Sequence, residues 1–339
     1  MSGALQSVLM NQRSTVAAVS STIAVAHSTS PYVSVYPFSA GFGTKYADPA
    51  TLPAGTGFDV TFNPTNTDIA VAHATTPFIS VYPWSAGFGT KYADPATLPA
   101  GTGNGVDFNP AGTDIAIAIQ SSPGVAAYPW SAGFGTKYAD PASTVPVGFS
   151  ANFSPSGADV VFSSNSSPYV NAYPWSAGFG TKYANPATLP TGVGRDAVFS
   201  PDGASVAVGH DVSPYISVYP WSAGFGTKYA DPATLPPDQC RGVAFNPAGT
   251  AIGVAHSTSP YVSVYPWSAG FGTKYANPAT LPTSFALGIT FSPSGTDIAI
   301  SVSSTPYVVA YPWSSGFGTK YADPATLPTG LGRRVRFSN

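Results

Sequence analysis

The sequence predicts an all-β fold, a seven-bladed β-propeller built of four-stranded antiparallel blades. A near-identical stretch, Tyr-Pro-Trp-Ser-Ala-Gly-Phe-Gly-Thr-Lys-Tyr in its commonest form, occurs seven times at intervals of 45 or 46 residues. A fixed period of this length is typical of repeat architectures, and no window shows the 3.6-residue apolar period of a helix. The copies begin at Tyr36, Tyr82, Tyr128, Tyr173, Tyr219, Tyr265 and Tyr311.

One repeat, followed from Gly105, contains four short strand-like segments separated by turns. The segments are residues 106–108, 114–119, 125–128 and 136–139. Asn-Pro-Ala-Gly follows the first segment and Ser-Ser-Pro precedes the third, and both are turn signals. Four short strands in 46 residues match one propeller blade. Large and small apolar residues alternate in the second segment, so that one blade face can receive the branched side chains of its neighbour.

A phenylalanine in the first strand also recurs in every repeat, within a motif of known type. The stretches Val-Phe-Ser-Pro-Asp-Gly at 198–203 and Tyr-Ile-Ser-Val-Tyr at 215–219 resemble the repeats of WD40 and YVTN-type propellers. Proline follows the aromatic residue where WD40 repeats have aspartate, and no regular Gly-His pair precedes the first strand. The recurring residues are Phe62, Phe108, Phe153, Phe199, Phe245, Phe291 and Phe337.

The longer repeated string, with Tyr-Pro-Trp-Ser and Gly-Phe-Gly-Thr-Lys-Tyr, is similar to propeller repeats of tailed-phage structural or tail-fibre-like proteins. This resemblance covers about residues 21–339. It implies a virion or tail-associated protein that contacts a protein partner in a larger assembly or a host-surface glycan. The implied location is the virion or an extracellular surface without a classical signal peptide, or otherwise the cytoplasm.

The two ends of the chain compete for one strand position in the ring. Phe337 occupies the same repeat position as Val16, because six periods of 46 residues and one of 45 separate the two. Residues 333–338 match the first-strand pattern at 195–200, whereas the N-terminal stretch lacks the phenylalanine and the following turn. We therefore expect residues 333–339 to complete blade 1 and close the ring. The propeller would span residues 20–339, after an N-terminal arm of residues 1–19.

Charge and cysteine content argue against several classes of function. Only 8% of residues are charged and the net charge is −2, so a nucleic-acid partner, which needs a clustered basic surface, is not expected. The single cysteine, Cys240, excludes an internal disulfide and a Cys-based zinc site. We expect neither membrane insertion nor a secretory signal, because the chain has no 18-residue apolar segment and no basic, apolar leader.

No catalytic residue, cofactor or metal ion is expected from the motifs. The histidines share one repeat position and are interpreted as polar loop residues, because a catalytic histidine needs a unique partner. Asn185 and Asn277 replace the aspartate of the repeated Lys-x-x-Asp pair, which argues against a charge-dependent metal ring. The histidines are His27, His73, His210 and His256.

Aromatic residues that follow the third strand form the first candidate binding surface. They are expected in the turns between third and fourth strands, all on one face of the ring. Either they pack within the blades, or they form a circle of stacking platforms for sugar rings or a protein, with avidity for a repetitive ligand. These residues are Phe38, Trp84, Trp130, Trp175, Trp221, Trp267 and Trp313.

A second candidate contact surface lies where charged residues interrupt the otherwise uniform repeats. It comprises Arg195, Asp238, Arg241 and Arg333, in or near the loops before the first strand. The three arginines share one repeat position near the channel, on the face opposite the tryptophan turns.

These observations together predict a protein that binds and displays rather than catalyses. The resemblance favours a phage-type virion or tail-associated role. One alternative is a multivalent lectin that uses the ring of aromatic turns. A second alternative is a propeller hydrolase or lactonase, because one fold hosts many functions.

Overall fold

The computed structural model describes residues 21–339 as seven antiparallel β-sheets, which form the blades of a propeller. Within these residues the structure is all-β, and no helix is long and apolar enough to cross a membrane. The sevenfold β-propeller predicted from the repeat period is therefore confirmed. The predicted arm of residues 1–19 lies outside the described part of the chain.

Each blade contains three strands in sequence order, except blade 1, which takes its innermost strand from the C-terminus. Blade 1 consists of β1 (Ser21–His27), β2 (Val33–Phe38) and β21 (Gly332–Phe337). Blades 2 to 4 consist of β3 (Gly57–Phe62), β4 (Asp68–His73), β5 (Ile79–Pro83), β6 (Gly103–Phe108), β7 (Asp114–Ile119), β8 (Val125–Pro129), β9 (Gly148–Phe153), β10 (Asp159–Ser164) and β11 (Val170–Pro174). Blades 5 to 7 consist of β12 (Gly194–Phe199), β13 (Ser205–His210), β14 (Ile216–Pro220), β15 (Cys240–Phe245), β16 (Ala251–His256), β17 (Val262–Pro266), β18 (Ala286–Phe291), β19 (Asp297–Val302) and β20 (Val308–Pro312).

The C-terminal strand closes the ring as the repeat pattern predicts. β21 pairs antiparallel with β1, with Phe337 opposite Ile23 and Val335 opposite Val25. Beyond the strand, Ser338 N donates to the carbonyl oxygen of Thr22 at 2.7 Å. The seam therefore leaves no unpaired inner edge on β1, which is how a propeller avoids an exposed strand edge.

The fourth strand predicted for each blade is reduced to a single bridge between the aromatic residue after the third strand and the loop phenylalanine. In blade 2 the outer segment adds only two backbone hydrogen bonds to β5, from Gly89 N to Pro83 O (2.8 Å) and from Tyr92 N to Val81 O (2.9 Å). Pro83 has no N–H to donate in return. Because this proline is repeated in every blade, a continuous outer ladder does not form.

The hydrophobic core lies between neighbouring blades rather than at the centre of the ring. Ala70 and Ala72 of β4 lie in one buried cluster with Ile115 and Ile117 of β7 in the next blade, and all four side chains are fully buried. The small residues leave room for the branched ones, as the alternation in the sequence predicts. The ring therefore holds together by packing between blades, and the central channel can carry polar residues.

Candidate functional site

The candidate site is the central channel, which is lined by the innermost strand of each blade. The face at which these strands begin is named the upper face, and the face at which they end is named the lower face. Side chains alternate along a strand, so the third and fifth residues of each innermost strand point away from the phenylalanine-containing core. The seven innermost strands are β3, β6, β9, β12, β15, β18 and β21.

A β-bulge at the start of the innermost strand turns its second residue toward the channel as well. The register between β12 and β13 shifts between Gly194 and Asp196, and Arg195 is left out of the pairing. The same shift in β15 leaves out Arg241, and in β21 it leaves out Arg333. Bulges re-aim side chains in this way, which explains why consecutive residues can both face the channel.

Arg334 forms a buried ionic cluster midway along the channel. Its Nη1 donates to Asp196 Oδ2 at 2.9 Å, and its Nε lies 3.8 Å from Asp59 Oδ1. Both carboxylates also accept a backbone N–H of the next blade, from Val243 at 3.0 Å and from Val106 at 3.1 Å. This cluster joins blades 1, 2 and 5 and stands between two cavities, one at each end of the channel.

The lower end of the channel opens into a cavity of about 450 Å³. Its floor is formed by the fifth residues of the innermost strands, which together are named the lower cup. Five polar side chains from blades 7, 1, 2, 3 and 4 form one arc, and two apolar side chains from blades 5 and 6 form the other. In blade order these residues are Arg336, Thr61, Asp107, Asn152, Val198, Ala244 and Thr290.

Asp107 is the carboxyl group of the lower cup. Its Oδ2 accepts a hydrogen bond from Phe153 N at 2.9 Å. Burial raises the pKa of its carboxyl to about 7, although the Phe153 hydrogen bond and the positive charge of Arg336 oppose the rise. A carboxyl with this pKa can take up and return a proton at neutral pH.

Arg336 is the cation of the lower cup. Among residues 21–339 it forms no ion pair with Asp107 or with any other carboxylate, although Asp107 lines the same cavity. Its guanidinium can therefore donate to a ligand oxygen or to a negative charge that develops during a reaction. Asn152, in contrast, already uses its amide N–H on the carbonyl oxygen of Ala197 at 2.7 Å.

The upper end of the channel is a smaller cavity of about 170 Å³, which contains three of the four residues predicted as the second contact surface. Asp238 lies outside the lining of this cavity, in the loop before β15, and accepts a hydrogen bond from Thr258 Oγ1 at 2.6 Å. That hydrogen bond holds the pKa of Asp238 below its usual value. The three residues in the lining, named the upper mouth, are Arg195, Arg241 and Arg333.

The aromatic residues of the predicted stacking ring are packed inside the molecule. Trp130 contacts Phe108 and Phe134 of its own blade and Tyr92 from the preceding segment, with ring centroids 5.1–5.6 Å apart. Its Nε1 donates to Asp68 Oδ2 at 3.1 Å. The six tryptophans are only 4–7% exposed and Phe38 is 1% exposed, so they offer no free ring face to a sugar. The residues concerned are Phe38, Trp84, Trp130, Trp175, Trp221, Trp267 and Trp313.

The four histidines are buried strand residues rather than the predicted loop residues. Each closes the second strand of its blade, and its Nε2 lies 3.0–3.1 Å from the hydroxyl of a serine in the third strand. Burial lowers the pKa of every one of them to about 4. They are therefore neutral packing groups at pH 7. The histidines are His27, His73, His210 and His256.

Sequence patterns alone do not single out Asp107 or Arg336, the two charged residues of the lower cup. A signal is nevertheless present in the repeats. The fourth residue of the innermost strand is always apolar and the sixth is always phenylalanine, whereas the fifth is Thr, Asp, Asn, Val, Ala, Thr or Arg. Variation at a channel-facing position of an otherwise uniform repeat marks a surface on which the blades differ, and at the fifth position that surface is a cavity.

No protein-family model matches the chain, and no curated protein sequence matches it. The fold is similar to that of a candidate 6-phosphogluconolactonase from Bacteroides fragilis, which is 12% identical with a TM-score of 0.73, covering 96% of this chain and 99% of that one. It is also similar to a periplasmic gluconolactonase from Pseudomonas aeruginosa, at 16% identity and a TM-score of 0.68, covering 94% and 99%. A protein from Lactobacillus plantarum is 15% identical with a TM-score of 0.74, covering 94% and 100%. Likeness at these identities shows the fold alone.

The names of these neighbours contradict the expected function. Two of the three are named after a lactonase activity, and none is named as a phage structural protein or a lectin. The prediction of a non-enzymatic virion or tail-associated protein is therefore wrong. The lectin alternative is contradicted as well. The names of two of these neighbours match the wording of the second alternative, a propeller hydrolase or lactonase.

Proposed function

We propose that the protein is a hydrolase of small cyclic esters, a lactonase, with its active site in the lower cup. The observation that carries this proposal is Asp107, whose carboxyl has a pKa raised to about 7 and lines a polar cavity. Perturbed acid–base groups inside a cavity are typical of active sites. The lactonase names of structural neighbours support the choice of reaction.

Asp107 is the general base in this proposal, and Arg336 stabilises the oxyanion. The carboxylate of Asp107 takes a proton from a water molecule as the water oxygen attacks the lactone carbonyl carbon. The carbonyl oxygen becomes negatively charged, and the guanidinium of Arg336 donates hydrogen bonds to it. The bond between the carbonyl carbon and the ring oxygen then breaks, and Asp107 returns its proton to the ring oxygen. The product is an open-chain hydroxy acid.

The shape of the lower cup suits a small amphipathic ring. Its volume of about 450 Å³ lies within the roughly 300–1,000 Å³ of pockets that enclose small ligands. The hydroxyls of Thr61 and Thr290 lie in the polar arc, on either side of Arg336 in blade order, and can bind substrate hydroxyl groups. Val198 and Ala244 lie in the opposite arc and can pack against the apolar face of a sugar ring.

The proposal is tested with glucono-δ-lactone as substrate, by measuring acid release at constant pH and subtracting spontaneous hydrolysis. We expect Asp107→Asn to lower kcat by about 10²–10⁴-fold, because a positioned base contributes that much. The variant should still fold, since the next blade has Asn152 at the same strand position. Wild-type kcat/KM should rise with pH through about 7, as the Asp107 carboxyl loses its proton.

Asp94→Asn provides a control with the same chemical change outside the channel. Asp94 pairs with Lys91 on the outer segment, and two other blades have Asn185 and Asn277 at that position. The control should retain wild-type activity. Absence of hydrolysis above the spontaneous rate in the wild type would disprove the proposed reaction, and full activity in Asp107→Asn would disprove the role of Asp107.

A further inference from the structure

The upper mouth is a cluster of three arginines that the proposed reaction at the other end of the channel does not use. They come from blades 5, 6 and 1, and the bulges described above direct them into one cavity. The guanidinium of Arg195 lies over the ring of Phe149, and that of Arg333 lies over the ring of Phe58, each 5.1 Å from the ring centroid. These cation–π contacts hold two of the guanidinium groups in place.

Two of the three arginines lack a carboxylate partner among the described residues. Arg195 donates to Asp211 at 2.9 Å. Arg241 reaches only the hydroxyl of Ser257, at 3.4 Å from its Nε. Arg333 makes no hydrogen bond or ion pair within residues 21–339, and its Nε is buried without a partner.

The carboxylates deeper in the channel do not compensate these two charges. Asp196 and Asp59 are both directed at Arg334, and burial raises the pKa of Asp59. Burial also lowers the pKa of Arg333 and, together with the positive charge of Arg195, that of Arg241, although the charges of Asp211 and Asp238 oppose the fall at Arg241 without forming an ion pair with it. A cation withdrawn from water without an opposite charge is costly. The upper mouth therefore holds two positive charges that an anion would stabilise.

We propose that the upper mouth is a binding site for a phosphate group, which Arg241 and Arg333 contact. A phosphate carries close to two negative charges at neutral pH, which matches the two guanidinium groups that have no ion-pair partner among the described residues. Guanidinium groups also present paired N–H donors that fit phosphate oxygens. The cavity of about 170 Å³ is smaller than the roughly 300–1,000 Å³ pockets that enclose whole drug-sized ligands, so it suits one small anionic group.

The arrangement of the ring supports the same ligand. The second residues of the innermost strands are arginine in blades 5, 6 and 1 and leucine in blade 7, whereas blades 2, 3 and 4 have Phe58, Asn104 and Phe149. Positive charge is thus confined to one side of the cavity, and aromatic rings lie on the other. A phosphate bound on the charged side could be free phosphate or the phosphate group of an organic ester, with its organic part against the aromatic side.

The proposal is tested by thermal unfolding of the full chain with inorganic phosphate, against sodium chloride at the same ionic strength. We expect the melting temperature of the wild type to rise with phosphate concentration as binding to the folded state requires. The variant Arg241→Leu/Arg333→Phe copies Leu287 and Phe58, which occupy the same ring position in other blades. Its apparent Kd for phosphate should be at least tenfold higher. Without phosphate it should melt above the wild type, because the uncompensated charges are gone.

Lys182→Gln, on the outer segment where Lys182 donates to Asn185 Oδ1 at 2.6 Å, is the control that removes a positive charge outside the channel and should keep the full response to phosphate. Glucose 6-phosphate and glucose distinguish the source of the phosphate group. Equal responses to inorganic phosphate and glucose 6-phosphate indicate a site for the phosphate group alone, and a response only to the ester indicates that the organic part is bound too.

The proposal is overturned if neither phosphate raises the melting temperature, if chloride acts equally, or if the double variant responds like the wild type. Should the double variant not fold, Arg241→Leu alone replaces it in the same comparison.

Discussion

At the scale of single residues, the blades show which buried pairs can replace each other. His73 pairs with Ser80 in blade 2, whereas blade 3 has Ile119 and Ala126 at the same two positions. Because burial lowers the pKa of His73 from 6.5 to about 4, the unfolded chain binds a proton there that the folded chain does not. The contribution of this histidine to stability is therefore complete above pH 6.5 and is lost as the pH falls toward 4.

We expect His73→Ile to lower the free energy of unfolding at pH 7 by roughly 1–3 kcal/mol, because it leaves the hydroxyl of Ser80 buried without a partner. The double variant His73→Ile/Ser80→Ala copies blade 3 and should recover most of that loss. Relative to the wild type, it should also gain up to about 1.4 kcal/mol for each pH unit below 6.5. Urea unfolding at pH 7 and pH 5 measures both effects. Equal losses in the single and double variants at pH 7 would contradict the pairing.

At the residue scale the sequence singles out the three arginines of the upper mouth but not the charged residues of the lower cup, and the role of both sets stays a prediction. Arg195, Arg241 and Arg333 stand out because arginine is rare in this chain and all three share one repeat position. Asp107 reads as an ordinary polar residue in a strand, and its raised pKa arises only when the ring buries it. Arg336 comes from the far end of the chain, so its place in the same cavity depends on how the ring closes.

At the scale of elements, the turn between second and third strands contains one residue with a positive φ, and two kinds of residue, an aromatic one or glycine, occupy that position in the same ring. In blade 2 it contains Phe78 with a φ of 71°, and in blade 3 it contains Gly124 with a φ of 80°. A Cβ atom at position 124 would overlap the backbone carbonyl of Val145. Val145 is fully buried and belongs to the one connection that is a residue shorter than the others. The shorter connection and the glycine therefore depend on each other.

We expect Gly124→Ala to lower the free energy of unfolding by about 2 kcal/mol or more, from left-handed backbone strain and overpacking against Val145. Gly112→Asn is the matched control. Gly112 also has a positive φ, of 69°, but its Cβ position is only in ordinary contact with Pro64. Asn66 occupies the equivalent turn position in blade 2 with a φ of 56°. Chemical denaturation should show a clearly smaller effect for the control, and comparable losses would refute the role of Val145.

At the scale of the whole molecule, the repeat period predicts the number of blades and the closure of the ring. Strand count per blade is not predictable in the same way. The outer segment has the composition of a strand, yet the repeated proline beside it removes a donor from the third strand. The repeat period also gives no sign of which residues line the channel, because the differences between blades lie at a few positions inside an otherwise uniform repeat. Partner and location stay predictions from the sequence.

Deleting residues 333–339 should lower the melting temperature by roughly 10 °C or more, because Val335 and Phe337 lose their buried positions. The deletion also removes Arg334 from the cluster with Asp59 and Asp196. A shorter deletion of residues 338–339 removes only the contacts of the last two residues with Thr22 and the turn at Asn66. Calorimetry should give a much smaller decrease for it. An unchanged melting temperature after the longer deletion would rule out the closure as a source of stability.

The pairing of β21 with β1 also determines how the molecule responds to tension. The two strands are antiparallel, and Ile23 lies opposite Phe337, so both ends of the folded chain leave the ring at the same corner. A force that pulls these ends apart acts on the Ile23–Phe337 pair first and passes to the next pair only when the first has opened. The ring should therefore unzip one hydrogen bond at a time and yield at low force, although the same seam resists heat as part of a closed circle.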